Sequence, residues 1–317
     1  MRRTLVLGVM IIAIATGASA EGGKLLQRIF GFGGGNGASA ATAVPAGVET
    51  HTIRVGNLNR TYYVYAPPGV PANAPLVLGL HGGNQDVMRF ATGVGLFPMA
   101  DRYGFVLALP VGVKKSWNAH AIEPAGYAMT NNIDDIGFIR AMVGEISASG
   151  RVNPNRVYAM GVSEGGMMVY DAACNLPGMF DALGVVASVN ASGRCASPSG
   201  VSLLHIHGTD DQHIPLNGGA GTETRKGVAW PSVLDGIRNF AAGASCSPNW
   251  SESRLTSDTI CETTSCPGSD VVEYCLVQGG GHTWPGVQET DRQARQGASS
   301  TMTFSATDMI AQFFLAH

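Results

Sequence analysis

Three short segments carry residues that can do nucleophilic chemistry together. Gly161-Val162-Ser163-Glu164-Gly165 sets a serine between small residues, and Thr209-Asp210-Asp211-Gln212-His213-Ile214-Pro215 offers two acids. Gly279-Gly280-Gly281-His282 presents a histidine on bare backbone. A serine hydroxyl is a weak nucleophile until a base takes its proton, and the base needs an acid to hold its tautomer. The order serine, acid, histidine, each just past an apolar run, is the order expected when the serine sits on a sharp strand-to-helix turn. Glycines inside a strand weaken it by roughly 0.5–1 kcal/mol relative to alanine. The three before His282 are therefore read as a loop that swings the ring over Ser163 and passes close to the nucleophile turn.

A fourth segment, His81-Gly82-Gly83-Asn84, follows the apolar run PLVLGL. Acyl transfer passes through an oxyanion, and backbone N–H groups aimed at it are typically worth ~3–4 kcal/mol each. The Gly83 N–H and the Glu164 N–H are the expected donors, with His81 counted among the residues that touch substrate. This chemistry needs no metal or organic cofactor.

The elements that must position these residues are short apolar runs at 75–83, 105–110, 156–161, 182–189, 202–208 and 271–278. Continuous apolar runs bounded by Gly or Pro suit parallel strands buried on both faces. Helical stretches lie between or after them, at 134–148, 232–243 and 304–316. Upstream, HTIRVGNLNRTYYVYAPP alternates around an Asn-rich turn and predicts an antiparallel hairpin. Strands alternating with helices predict one doubly wound α/β sheet.

Residues 1–20 stand outside that pattern. Arg2 and Arg3, an apolar run and Ala18-Ser19-Ala20 make a secretory signal peptide, with an apolar stretch short for a membrane span of about 20 residues. A Gly/Ala-rich leader is expected over 21–50 and the catalytic domain over 51–317. Removing the signal takes two arginines and no acid, so 18 basic residues face 23 acidic ones and the formal charge moves from −3 to −5. That balance argues against a nucleic-acid binder. Export places the protein outside the cytoplasm, secreted or periplasmic, without a stable membrane anchor.

Six cysteines, Cys174, Cys195, Cys246, Cys261, Cys266 and Cys275, remain after cleavage. An even number in an oxidising compartment predicts three disulfides. Cys174 pairs best with Cys195, its nearest neighbour in sequence, and the last four pair among themselves. A zinc site is disfavoured, because Cys261 and Cys266 have no histidine pair at finger spacing. Oligomeric state is not legible.

Together LHGG (80–83), SWN (116–118), IDDIGF (133–138), GVSEGG (161–166), HGTDDQHIP (207–215) and GGGHTWPG (279–286) resemble the secreted α/β-hydrolases of the polyhydroxybutyrate depolymerase and feruloyl esterase family, which is carbohydrate esterase family 1-like. The resemblance covers the chain from about residue 50 onward. It implies a single-domain α/β-hydrolase fold, a mostly parallel sheet flanked by helices and stabilised by disulfides. It implies Asp211 over Asp210 as the acid, since the family's acid lies four residues after the histidine of the HGT segment. Trp117 and Trp284 look like the aromatics that line such acyl pockets.

The function implied is that of a secreted serine hydrolase cleaving hydroxyalkanoate or feruloyl-type esters. The family pattern is not complete here. Where many relatives carry a cysteine pair after SWN, this chain reads AHAIEPAGYAMTNN, and no polymer-binding module or threonine-rich linker follows the domain, so a soluble substrate is expected. The chain also looks similar to poly(aspartic acid) hydrolases. Lys114, Lys115 and Arg89 are the cations that would meet the carboxylates of such a soluble acidic polymer. A reading of another class, an exported binding protein that keeps the fold without catalysis, stands against the ordered trio.

Overall fold

The computed structural model describes residues 44–119, 122, 126–191, 200–224, 226–289, 294 and 299–317. They fall within one unit, Asn36–His317. The expected signal peptide and the leader as far as residue 43 lie outside the described residues. The first strand, β1, runs Val48–Val55 and so begins inside the stretch expected to be leader.

β1 and β2 (Leu58–Tyr65) form the expected antiparallel hairpin, in register from Val48 opposite Tyr65 to Val55 opposite Leu58. The six apolar runs become β3 (Ala74–Leu80), β4 (Val106–Pro110), β5 (Val152–Val162), β6 (Ala182–Val186), β7 (Ser202–Gly208) and, last in the chain, β10 (Val271–Val277). Every residue of β3, β4, β6 and β7 is buried, as the unbroken apolar runs require of strands covered on both faces. Two further strands, β8 (Ser251–Arg254) and β9 (Thr259–Ser265), were not expected. β8 reads Ser-Glu-Ser-Arg and is exposed throughout, so it has no apolar signature.

The strand order is β1-β2-β4-β3-β5-β6-β7-β10-β9-β8. The six central strands are parallel, and antiparallel pairs close both sides. Helices α1 (Val87–Gly93), α2 (Leu96–Tyr103), α3 (Tyr127–Thr130), α4 (Asp135–Ala148), α5 (Glu164–Asn175), α6 (Val233–Gly243) and α7 (Ala306–Ala316) cover the sheet. Leu76, Leu78 and Leu80 pack with Phe138 and Met142 of α4, Met168 of α5 and Phe240 of α6. Val77, pointing the other way, packs with Phe90 of α1, Leu96 of α2 and Phe314 of α7.

Disulfides Cys246–Cys266 and Cys261–Cys275 pair the last four cysteines among themselves, the second directly across β9 and β10. Cys174 is disulfide-bonded, while Cys195, its expected partner, lies outside the described residues.

One buried ion pair organises the segment around SWN and IDDIGF. Arg60 Nη2 of β2 donates to Asp135 Oδ1 at 2.6 Å, and both side chains are almost wholly buried. Asp135 Oδ2 accepts the Asn118 N–H at 2.8 Å, and the Arg60 guanidinium lies 4.0 Å over the Phe138 ring. Neighbouring Asp134 caps α4 by accepting the Gly137 N–H at 2.7 Å. The two aspartates thus do structural work. Removing one partner of such a pair strands a buried charge, so Asp135→Ala is expected to lower unfolding free energy by about 3–5 kcal/mol, read from urea denaturation midpoints. A loss within about 0.5 kcal/mol would show that the pair is not needed.

Candidate active site

The parallel strands end on one side of the sheet, and the chemically capable residues sit at those ends. Ser163 occupies the single residue between β5 and α5, with φ 55° and ψ −126°. A positive φ at a non-glycine residue costs of order 1–3 kcal/mol and persists only where the surroundings enforce it. Here the Ser163 N–H donates to Val186 O at 3.1 Å, while the Ser163 carbonyl accepts from Ser188 Oγ at 2.7 Å. Gly165 is needed for close approach: a Cβ there would run into the carbonyl oxygens of Leu80 and His81. That contact sets the start of α5 directly against the end of β3, bringing Glu164 and Gly83 onto the wall of one cavity with Ser163. Among the described residues, neither the Gly83 nor the Glu164 N–H meets an acceptor.

Asp211 lies at the end of β7, its side chain buried. Its Oδ2 accepts from His282 Nδ1 at 2.8 Å, and its Oδ1 accepts the N–H groups of His213 at 2.8 Å and Ile214 at 2.9 Å. Asp210, by contrast, is exposed, and its N–H donates to Gly280 O of the histidine loop at 2.9 Å. Burial alone would raise the Asp211 carboxyl, but the His282 and His207 rings and the Ile214 N–H outweigh it and hold it below the ordinary range. Because His282 Nδ1 donates to the carboxylate, its Nε2 is left with a lone pair. Ser163 and His282 are not hydrogen-bonded to each other here; such bonds are often long without substrate and tighten in the reacting complex.

The three glycines before His282 let their loop pack on the end of β7. Gly280 and Gly281 carbonyls crowd the space where a Cβ on Gly208 would lie, and Gly279 N–H donates to Thr209 Oγ1 at 2.9 Å. The loop is thus pressed onto the end of β7, beside the acid.

Behind Asp211 runs a buried polar chain. His207 Nε2 lies 2.9 Å from Ile214 O, which can only accept, so Nε2 carries the proton. Nδ1 then accepts from His205 Nε2 at 3.4 Å, and His205 Nδ1 accepts from Tyr170 OH at 2.7 Å. Burial lowers both imidazoles, which keeps them neutral. The chain links α5, the helix that begins at the serine, to the loop carrying the acid.

The cavity has a volume of about 320 Å³. Lys114 and Lys115 line it, each on left-handed backbone (φ 52° and 59°). Four other expected substrate contacts are not on its wall. Trp117 is completely buried and donates its indole N–H to His81 O at 2.8 Å. Trp284 is buried against Phe90 and donates to Thr307 Oγ1 at 2.9 Å. His81 is a buried strut, and Arg89, on α1, lies off the cavity. Both tryptophans flank site loops in sequence, but their rings turn into the core. The wall instead includes Tyr127, Met167, Val228 and Trp230, which no local motif marks. It also includes His213, whose ring stacks on His282 with centroids 4.7 Å apart.

Asp211, His213 and His282 bring potential metal-ligand atoms within 4.8 Å of one another. Both Asp211 oxygens are already taken by N–H donors, which a metal would have to displace. Among the described residues the other such cluster contains Cys261 and Cys275, which are joined in a disulfide.

The strand order, the strained serine turn and the acid–histidine pair at successive strand ends define an α/β-hydrolase. An acetyl xylan esterase from Aspergillus awamori shares the fold, with a TM-score of 0.55 at 17% identity over 74% of this chain and 94% of that one. Residues 60–208 match the family described as esterase PHB depolymerase. "Putative esterase NocK" of Nocardia uniformis subsp. tsuyamanensis is 33% identical over 86% of this chain and 84% of its own length. Feruloyl esterase C of Emericella nidulans is 29% identical over 62% of this chain and 72% of its own. The poly(3-hydroxybutyrate) depolymerase of Ralstonia pickettii is 28% identical over 60% of this chain, a match spanning 40% of the depolymerase. The chain belongs to the PHB depolymerase esterase family and is a carboxylic ester hydrolase.

His81 gives the site a pH dependence of stability. Its Nε2 accepts the Gly112 N–H at 3.0 Å, so Nδ1 carries the proton and donates to Gly82 O at 2.8 Å. Burial lowers its pKa to about 4. The unfolded chain takes up this proton near pH 6.5, whereas the folded protein resists until about 4. Stability from this residue is present above pH 6.5 and is lost as pH falls toward 4, by up to about 3 kcal/mol. Urea midpoints measured across that window should slope less in His81→Gln than in the wild type; equal slopes would show that His81 does not stay neutral.

Proposed function

We propose that this chain is an exported serine esterase working through an acyl-enzyme on Ser163. Ser163 Oγ attacks the acyl carbonyl while His282 Nε2 takes its proton, and Asp211 holds the ring and stabilises its charge. The Gly83 and Glu164 N–H groups receive the oxyanion. His282 then protonates the leaving alcohol, and water, activated by the same ring, releases the acid. The observation that carries this reading is the 2.8 Å bond from His282 Nδ1 to buried Asp211, beside a cavity that exposes Ser163 and both proposed donors.

Hydroxyalkanoate oligomers or feruloyl-type esters are the proposed substrates, supported by the names of the depolymerase and feruloyl esterase relatives. A second reading, amide hydrolysis of a soluble acidic polymer, draws on Lys114 and Lys115 at the cavity. Export by the signal at 1–20, followed by a leader to about residue 47 and the catalytic domain, is supported by the two disulfides.

The deciding experiment offers the mature protein a feruloyl ester, a soluble hydroxybutyrate oligomer and poly(aspartic acid), with Ser163→Ala beside it. Ester turnover reduced by about 10⁴-fold or more in the variant is expected. Cleavage of poly(aspartic acid) alone, weakened by added salt, would replace the ester substrate with the polyanion. Failure of the folded wild type to react with a serine-directed fluorophosphonate would sink the catalytic reading altogether.

A further inference from the structure

The serine mechanism uses only the backbone of Glu164, yet the Glu164 side chain also lies on the cavity wall. Its Oε1 accepts the Trp117 N–H at 3.3 Å and the Ser116 hydroxyl at 3.3 Å. The same hydroxyl accepts the Ala128 N–H at 3.2 Å, so one carboxyl gathers the 116–117 segment and the start of α3. Its Oε2 lies over Gly83, where a Cβ would come within 2.6 Å of it. The 112–117 segment in turn holds the Gly83 loop, through Asn84 N–H to Lys115 O at 2.8 Å and Trp117 Nε1–H to His81 O. One side chain therefore bridges the 116–117 segment to the Gly83 backbone, one of the two proposed oxyanion donors.

We infer that Glu164 is a positioning residue of the hydrolase, holding the Gly83 loop and the 116–117 segment around the oxyanion in its uncharged, protonated form. The inference rests on the serine reading above. An ionised carboxylate at this place would stand next to the negative charge that develops on the substrate, in a partly desolvated cavity where like charges repel strongly. Burial pushes this carboxyl up to about 7; the Trp117 and Ser116 hydrogen bonds pull it down, and Asp135 behind them pushes it up. Lys114, Lys115, His213 and Glu223 face the same cavity, and Asp135 is itself paired with Arg60. The group thus changes charge in the neutral range, and the hydrolase should slow as it ionises.

The test measures kcat and KM for p-nitrophenyl butyrate from about pH 5 to about 9 in wild type, Glu164→Gln, Glu164→Ala and Ser163→Ala. Glutamine keeps an oxygen for the Trp117 and Ser116 donors but cannot ionise. Wild-type kcat should rise on the acid limb that a histidine base imposes, then fall about tenfold above neutrality. Glu164→Gln should keep the rise and lose the fall, so that its kcat at pH 9 relative to its own kcat at pH 7 is about tenfold higher than the same ratio in wild type. Glu164→Ala should lose kcat about tenfold or more at every pH, with KM changed less. Superimposable wild-type and Glu164→Gln profiles would overturn the inference, and they decide it even if the alanine variant does not fold. Turnover surviving in Ser163→Ala would instead overturn the serine reading beneath it.

Discussion

A carboxylate buried at the end of a strand must be compensated, and the compensation of Asp211 ties the working parts of this molecule together. Two backbone N–H groups from its own loop take one oxygen, and His282 from the next parallel strand takes the other. Behind it, the His207–His205–Tyr170 chain reaches α5, the helix launched by the serine turn. An unpaired buried charge costs several kcal/mol, so β7, β10 and α5 are not free to shift independently. The geometry that neutralises the acid is the same geometry that leaves a basic nitrogen available on His282.

The oxyanion side is built by a separate device. Gln85 closes the Gly82–Gly83 turn locally, its side chain accepting the Gly82 N–H and its own N–H donating to Gly82 O, and the 112–117 segment straps the turn down from outside the sheet. His81 and Trp117 are the buckles: the imidazole accepts from Gly112, and the indole donates back to the His81 carbonyl. Both aromatics are buried because each satisfies a backbone group that would otherwise be orphaned. Their place is in the wall's foundation, behind a surface that includes Tyr127, Met167, His213 and Trp230.

Much of this was legible one segment at a time. The buried parallel strands could be read because residues covered on both faces must be apolar without interruption, and the hairpin because a half-covered edge alternates. β8 escaped because an exposed edge strand of Ser-Glu-Ser-Arg is chosen by its pairing to β9, not by its own composition. Ser163, the Asp210–Asp211 pair and His282 stood out because a sharp turn and a strand-end loop each demand glycines and small residues nearby. The family resemblance puts Trp117 and Trp284 on the substrate side, and His81 belongs to the oxyanion segment, but neither signal says which way a ring points.

By itself, the sequence determined which residues could do the chemistry and the order in which strands would deliver them, since periodicity and glycine placement are local demands on the backbone. Tertiary structure alone decided which face of the 112–117 segment turns inward, and that Tyr127, Met167, His213 and Trp230 share a wall with Ser163. Those outcomes depend on contacts between segments tens of residues apart. No local pattern encodes such a contact, because the burial and hydrogen bonds that select it exist only after the sheet has closed its ends together.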